Sequence, residues 1–234
     1  MTGELVGIGV GPGDPELLTL KAVRRLGEME VIASIASDRA APVAERIVAP
    51  HLPAGARRLA FRAPMHADAA VRRAFYDEVA ERLGDELAAG RKVGFPCLGD
   101  PLFYGSFGPV MARLAPHFPC SVVPGVTAIQ AASAALRLLL ARGDESLLVL
   151  PATLPDTELA ARLRMAECAA VLKVGRHLPR LRRLLAGLEP GFEAWIASRV
   201  GTAGEHLAPL EAFRETVAPY MSLLLLRRRA APPR

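Results

Sequence analysis

Aromatic side chains are scarce in this sequence, with one tryptophan, three tyrosines and eight phenylalanines in 234 residues. That is too few for the stacking platforms that hold single-stranded nucleic acids. Cysteine is scarcer still. Cys97, Cys120 and Cys168 are odd in number, widely spaced and set in apolar runs, which excludes a disulfide framework and suits buried thiols in a reducing compartment. The five histidines, His51, His66, His117, His177 and His206, have no ligand-like spacing, so no metal is expected. Also absent are the Gly-Lys-Ser/Thr phosphate loop, the Gly-x-Ser-x-Gly nucleophile elbow and the His-Glu-x-x-His zinc helix. The longest apolar segment, residues 128–141, is too short to span a membrane and contains Gln130 and Arg137. No signal-peptide pattern opens the sequence. The expectation is a cytoplasmic protein without membrane or nucleic-acid partners.

What is present is a large apolar fraction, 51%, enough for a sizeable core. The 29 basic residues exceed the 24 acidic ones, giving +5, and the excess is scattered apart from Arg227, Arg228 and Arg229. Either an ordinary solvated basic surface or a partner rich in carboxylates fits this balance.

Apolar runs of strand length alternate with segments of helical period, which predicts parallel sheets with crossover helices. Residues 5–10, 31–34 and 92–97 read as strands. Val71, Phe75, Val79, Leu83 and Leu87 recur every four residues on a helix that Gly90 stops. Residues 51–66, rich in Pro, Gly and Arg, read as loop. Residues 115–119 read as a linker, followed by a short strand at 121–123 and a helix over 128–140, which Thr127 and Gln130 would open with a capping box. Residues 146–150, 169–174, 193–198 and 220–226 are further strands. Leu159 and Leu163, then Leu178, Leu181 and Leu185, mark helices between them. The predicted fold is α/β in two domains, 1–115 and 120–234, with a disordered tail from about residue 228.

Three glycine-bearing turns join strands to helices. In GVGPGDPELLTLKA, from Gly9 to Ala22, Asp14 can cap the helix that follows and Pro15 suits its first position. The glycines either permit a sharp turn or bring bare backbone against a ligand. A dinucleotide fingerprint needs G-x-G-x-x-G, with backbone N–H groups facing a pyrophosphate. The spacing here is G-x-G-x-G, Pro12 removes a donor, and Asp14 puts negative charge where the phosphate would lie. In the second turn, LGDPLFYGSF, Gly-Asp-Pro again ends a strand. The third is PGVTA, from Pro124 to Ala128. Turns of this kind suit a compact ligand without phosphates.

Together these segments resemble the tetrapyrrole methylases: GVGPGDPELLTLKA their N-terminal signature, LGDPLFYGSF and PGVTA their loops around S-adenosylmethionine. The segments ELLTLKAVRRL, VLPATL, VLKVGRHLPRLRRLL and PYMSLLLL are most similar to the branch that methylates carbon 20 of precorrin-2 in cobalamin synthesis. The resemblance implies a homodimer of two-domain α/β subunits, with the methyl donor in a cleft between the domains and S-adenosylhomocysteine as product. It implies cofactor contacts by Pro12, Leu98, Gly99, Asp100, Phe103, Tyr104, Gly105, Thr127, Ala128, Val174, Arg199 and Val200. Asp100 and Tyr104 are its catalytic candidates. The carboxylates of precorrin-2 or cobalt-precorrin-2 would be met by Arg39, Arg62, Lys173, Arg176 and His177.

Ser198-Arg199 stands where that branch would have Glu-Arg, and Gly201-Thr202 is similar to the related uroporphyrinogen methylases. Methylation at another ring position therefore stays open. So do a relative acting on diphthine or ribosomal RNA, a nicotinamide-dependent dehydrogenase, and a binding protein without turnover.

Overall fold

A computed structural model describes residues 2–37, 43–64, 68–188 and 191–229. The chain divides into two compact units, Met1–Thr127 and Ala128–Arg234. The first is built on five strands: β1 (Glu4–Gly9), β2 (Val31–Ser37), β3 (Arg57–Ala63), β4 (Lys92–Cys97) and β5 (Cys120–Val123). They form one sheet in the order β3-β2-β4-β1-β5, and every pair is parallel. Helices α1 (Leu20–Leu26) and α2 (Val43–Val48) cover one face; α3 (Ala69–Ala88) and α4 (Phe107–Leu114) cover the other. Strands covered on both faces read as continuous apolar runs. In β1, Leu5, Val6 and Ile8 are all fully buried.

The expected boundary between residues 115 and 120 moves. Cys120–Val123 pairs with β1 as the edge strand of the first sheet, so the division falls after Thr127. Residues 51–66, expected to be loop, contain β3. Its arginines obscured the alternation of Leu59 and Phe61. Arg57 pairs with the buried Glu86 of α3, Arg58 with Glu45 of α2, and Arg82 stacks over Phe61 at 5.0 Å. Charges that made the segment look solvated thus fasten an edge strand to its neighbours.

The second unit carries β6 (Leu147–Pro151), β7 (Cys168–Leu172), β8 (Phe192–Ser198), β9 (His206–Pro209) and β10 (Ser222–Arg228), in the order β6-β7-β10-β8-β9. Here the expectation of a parallel sheet fails. Only β6 and β7 are parallel, because β10 returns between β7 and β8 antiparallel to both, and β9 forms a hairpin with β8. The four-residue β9 was too short to stand out in the sequence. Helices α6 (Asp156–Arg164) and α7 (Leu178–Ala186) pack on one face, and α5 (Ala128–Leu136) on the other. α5 stops four residues early: Arg137 turns left-handed (φ 54°), while the Ser133 hydroxyl donates to the Leu138 carbonyl at 2.5 Å. Residues 228 and 229, expected to belong to a disordered tail, are ordered, since Arg228 belongs to β10 and Arg229 donates its N–H to the Gly191 carbonyl; residues 230–234 lie outside the described residues. Among the described residues no helix is long and apolar enough to cross a membrane.

Phe107 begins α4 and lies fully buried 5.6 Å from Phe95. Phe107→Ala is expected to destabilise the first unit by about 3–5 kcal/mol, read as a lower denaturant midpoint with an unchanged slope.

Candidate functional site

Strands β4, β1 and β5 lie side by side and run the same way, so the turns that follow them leave the sheet at one edge. After β1 the chain passes to α1 on one face; after the adjacent β4 it passes to α4 on the other. Such a divergence opens a crevice at the carboxyl ends of the strands, the usual ligand position in open α/β sheets.

Main-chain contacts lace the three turns together. Gly11, with φ 76°, forms an isolated bridge with Gly99, whose N–H donates to the Gly11 carbonyl at 2.8 Å. Beneath that bridge the backbones of Gly9, Gly99 and Gly125 touch. A methyl group on Gly9 would lie 2.5 Å from the Gly125 nitrogen and 2.8 Å from the Gly99 oxygen; one on Gly125 would lie 2.8 Å from the Gly9 Cα. No side chain fits at either position. Gly9 and Gly125 escaped the sequence reading as junction residues, because their shared requirement appears only when the turns are brought together.

Asp100 clamps this junction. One carboxylate oxygen accepts the Leu102 N–H at 2.9 Å and the other accepts the Gly125 N–H at 3.1 Å, tying the second turn to the third. Asp14 caps a short 3-10 turn, Pro15–Leu17, by accepting the Glu16 N–H at 2.8 Å. The helix itself starts later than expected, with Thr19 as the cap of α1. Pro12 and Gly99 are buried; Leu98 and Thr127 are half-buried, and the Thr127 Cα lies 3.7 Å from where a Gly99 side chain would begin. Phe103, Tyr104 and Gly105 are exposed. The two rings meet edge to face with centroids 5.1 Å apart, and Tyr104 is left-handed at φ 55°. Below them Cys97 is 6% exposed, and burial, then the Asp100 charge, pushes its thiol up to about 12. It remains a thiol at neutral pH, without nucleophilic or metal-binding character.

Of the basic residues singled out, Arg62 is exposed near the carboxyl end of β3, at this same edge of the sheet. Arg39 lies outside the described residues.

The remaining candidates belong to the second unit. Ala128 opens α5. Lys173, Val174, Arg176 and His177 form the turn after β7, with Lys173 and Arg176 exposed and Val174 fully buried. Arg199 and Val200 follow β8, the first exposed and the second buried. Lys173, Arg199 and Met221 are left-handed, at φ 61°, 50° and 66°. All three stand at one end of the sheet, because β10 begins where β7 and β8 finish. Left-handed side chains cost about 1–2 kcal/mol each, and such strain concentrates where geometry serves function. Burial, then Arg180 and Arg176, holds the His177 imidazole below its ordinary range, so at neutral pH it offers a hydrogen bond rather than a cation.

Comparison with known proteins places this arrangement. The family model for Tetrapyrrole (Corrin/Porphyrin) Methylases matches residues 4–213. The chain is 39% identical, over 97% of its length, to the cobalamin biosynthesis protein CobIJ of Mycobacterium tuberculosis, of which the match covers 47%. The chain thus spans about half the length of that relative. It is 38% identical to the precorrin-2 C(20)-methyltransferase of a Sinorhizobium species, covering 96% of this chain and 95% of the relative. Among solved structures, uroporphyrin-III C-methyl transferase from Thermus thermophilus complexed with S-adenosylhomocysteine superposes with a TM-score of 0.72 at 27% identity, covering 96% of this chain and 97% of that one.

The glycine junction makes a direct prediction. Gly125→Ala is expected to destabilise the first unit by about 1–3 kcal/mol through overpacking, whereas Gly55→Ala, with nothing within 4 Å of the added methyl, leaves the unfolding midpoint within error in the same thermal melts.

Proposed function

The chain belongs to the tetrapyrrole methylases, and we propose that it transfers the methyl group of S-adenosylmethionine to carbon 20 of precorrin-2 or of its cobalt complex, in cobalamin synthesis. The observation that carries this reading is the laced edge of the first sheet, where bare backbone from three turns meets beside carboxylates. A pyrophosphate would need a row of N–H donors there. Pro12 supplies none, and the negative charges of Asp14 and Asp100 oppose a phosphate while favouring a cation such as a sulfonium. The relative named for carbon-20 methylation, matched over nearly its whole length, supports the ring position.

S-adenosylmethionine supplies an electrophilic methyl group on a sulfonium and leaves as S-adenosylhomocysteine. In this reading Pro12 and residues 98–100 line its floor, Phe103, Tyr104 and Gly105 flank it, and Thr127 and Ala128 lie beside its adenosine or methionine portion. Val174, Arg199 and Val200 are the second unit's contribution. Asp100 serves turnover through the loop geometry it clamps, and Tyr104 through a hydrogen bond near the reacting atoms. The nucleophile is an electron-rich carbon of the partly reduced macrocycle, so the protein's main task is to hold two reactants in line. Positioning of that kind supplies roughly 7–11 kcal/mol at its favourable limit. Arg62, Lys173 and Arg176 meet the macrocycle's carboxylates as charge-assisted donors, with His177 as a neutral one.

Incubation with methyl-labelled S-adenosylmethionine and either tetrapyrrole, followed by NMR, is expected to place the label on carbon 20. Label at another carbon would transfer the activity to a different ring position. No label, together with thermal stabilisation by NADH but not by S-adenosylhomocysteine, would favour a dehydrogenase and overturn the reading.

A further inference from the structure

Among the described residues, the exposed aromatic side chains are Phe103, Tyr104 and Tyr220. The first two belong to the turn after β4. Tyr220 is the most exposed of the three, at 73%, and no role has yet been given to it. Its display is built into the backbone. Two residues before it, the buried Ala218 donates its N–H to the Gly175 carbonyl at 3.1 Å. Immediately before it, the Pro219 carbonyl accepts the hydroxyl of Ser222 at 2.7 Å, and Ser222 is itself buried 2.7 Å from Ser198. Immediately after it, the left-handed Met221 gives its carbonyl to the N–H of Arg199 at 2.9 Å. The segment is thus pinned on both sides of a ring that stands in solvent. Val217, 53% exposed, adds a second apolar side chain to the same segment.

These pins also decide the company Tyr220 keeps. Gly175, which receives Ala218, belongs to the turn bearing Lys173, Arg176 and His177; Arg199 is the residue bonded to Met221. An aromatic ring on a segment whose backbone is bonded to turns that carry basic side chains suits a ligand that is flat and conjugated over its face and anionic at its rim. An aliphatic or small polar ligand would use only half of it.

We propose that Tyr220 is a binding residue for the acceptor, its ring stacking on the macrocycle while the neighbouring basic side chains take the peripheral carboxylates. This rests on the functional reading above and adds to it a residue that discriminates a planar tetrapyrrole from other polyanions. It also separates the contacts of the two substrates: Tyr220 serves the acceptor and leaves the methyl donor untouched.

The test is anaerobic titration with precorrin-2, followed by quenching of the single tryptophan, Trp195, beside calorimetric titration with S-adenosylhomocysteine. Tyr220→Ala is expected to weaken precorrin-2 binding by about 3- to 10-fold, the size of one aromatic contact, and Tyr220→Phe to stay within about twofold of the parent. Neither variant should shift the melting temperature or S-adenosylhomocysteine affinity, since the side chain buries little. Equal precorrin-2 binding by Tyr220→Ala and the parent overturns the proposal, as does an equal loss for both ligands, which would move Tyr220 to the donor. Failure of the parent itself to bind precorrin-2 would instead refute the functional reading.

Discussion

Three glycine backbones in van der Waals contact, at Gly9, Gly99 and Gly125, set the geometry on which the carboxyl edge of the first unit's sheet depends. Each follows or ends a different strand, and the strands are neighbours only because the sheet order is β4-β1-β5 at this point. A side chain at Gly9 or Gly125 would push the turns apart. The Gly11–Gly99 bridge and the two bonds of Asp100 then fix the turns in register. The result is an edge made of main chain. That is why a proline and two carboxylates can stand where a nucleotide-binding fold would present N–H groups.

The second unit reaches a comparable result by different means. Its strained backbone is carried by residues with long side chains, Lys173, Arg199 and Met221, rather than by glycine. Holding such residues left-handed is unfavourable, and the surrounding bonds offset it: Arg199 to Met221, the serine pair beneath them, and Ala218 to Gly175. The side chains displayed are cationic and aromatic. Bare backbone at the first unit's edge suits a compact ligand, while cationic and aromatic side chains displayed by the second unit suit a large anionic one.

Much of this was legible in the residues alone. Strands buried on both faces announced themselves as apolar runs, and Val79, Leu83 and Leu87 marked the inner face of α3. The Gly-Asp-Pro turns were visible as motifs, yet their purpose was not. Asp100, a catalytic candidate implied by the family resemblance, has both oxygens engaged by backbone N–H groups, and only the meeting of residues 100 and 125 reveals it. β3 was hidden because its arginines read as solvated, whereas Arg57 is neutralised by Glu86, a residue far along the chain. The antiparallel return of β10 was hidden for a related reason. A strand buried on both faces has the same composition whichever way it runs, so pairing direction is a tertiary property.

The central claim is that the glycine junction shapes the floor on which the methyl donor rests. Calorimetric titration of S-adenosylhomocysteine into the protein and into Gly9→Ala, with circular dichroism to confirm that the variant is folded, tests it most directly. The account predicts binding by the parent and at least a roughly tenfold loss of affinity in the folded variant, equivalent to about 1.4 kcal/mol. Unchanged affinity in a folded Gly9→Ala protein would contradict it.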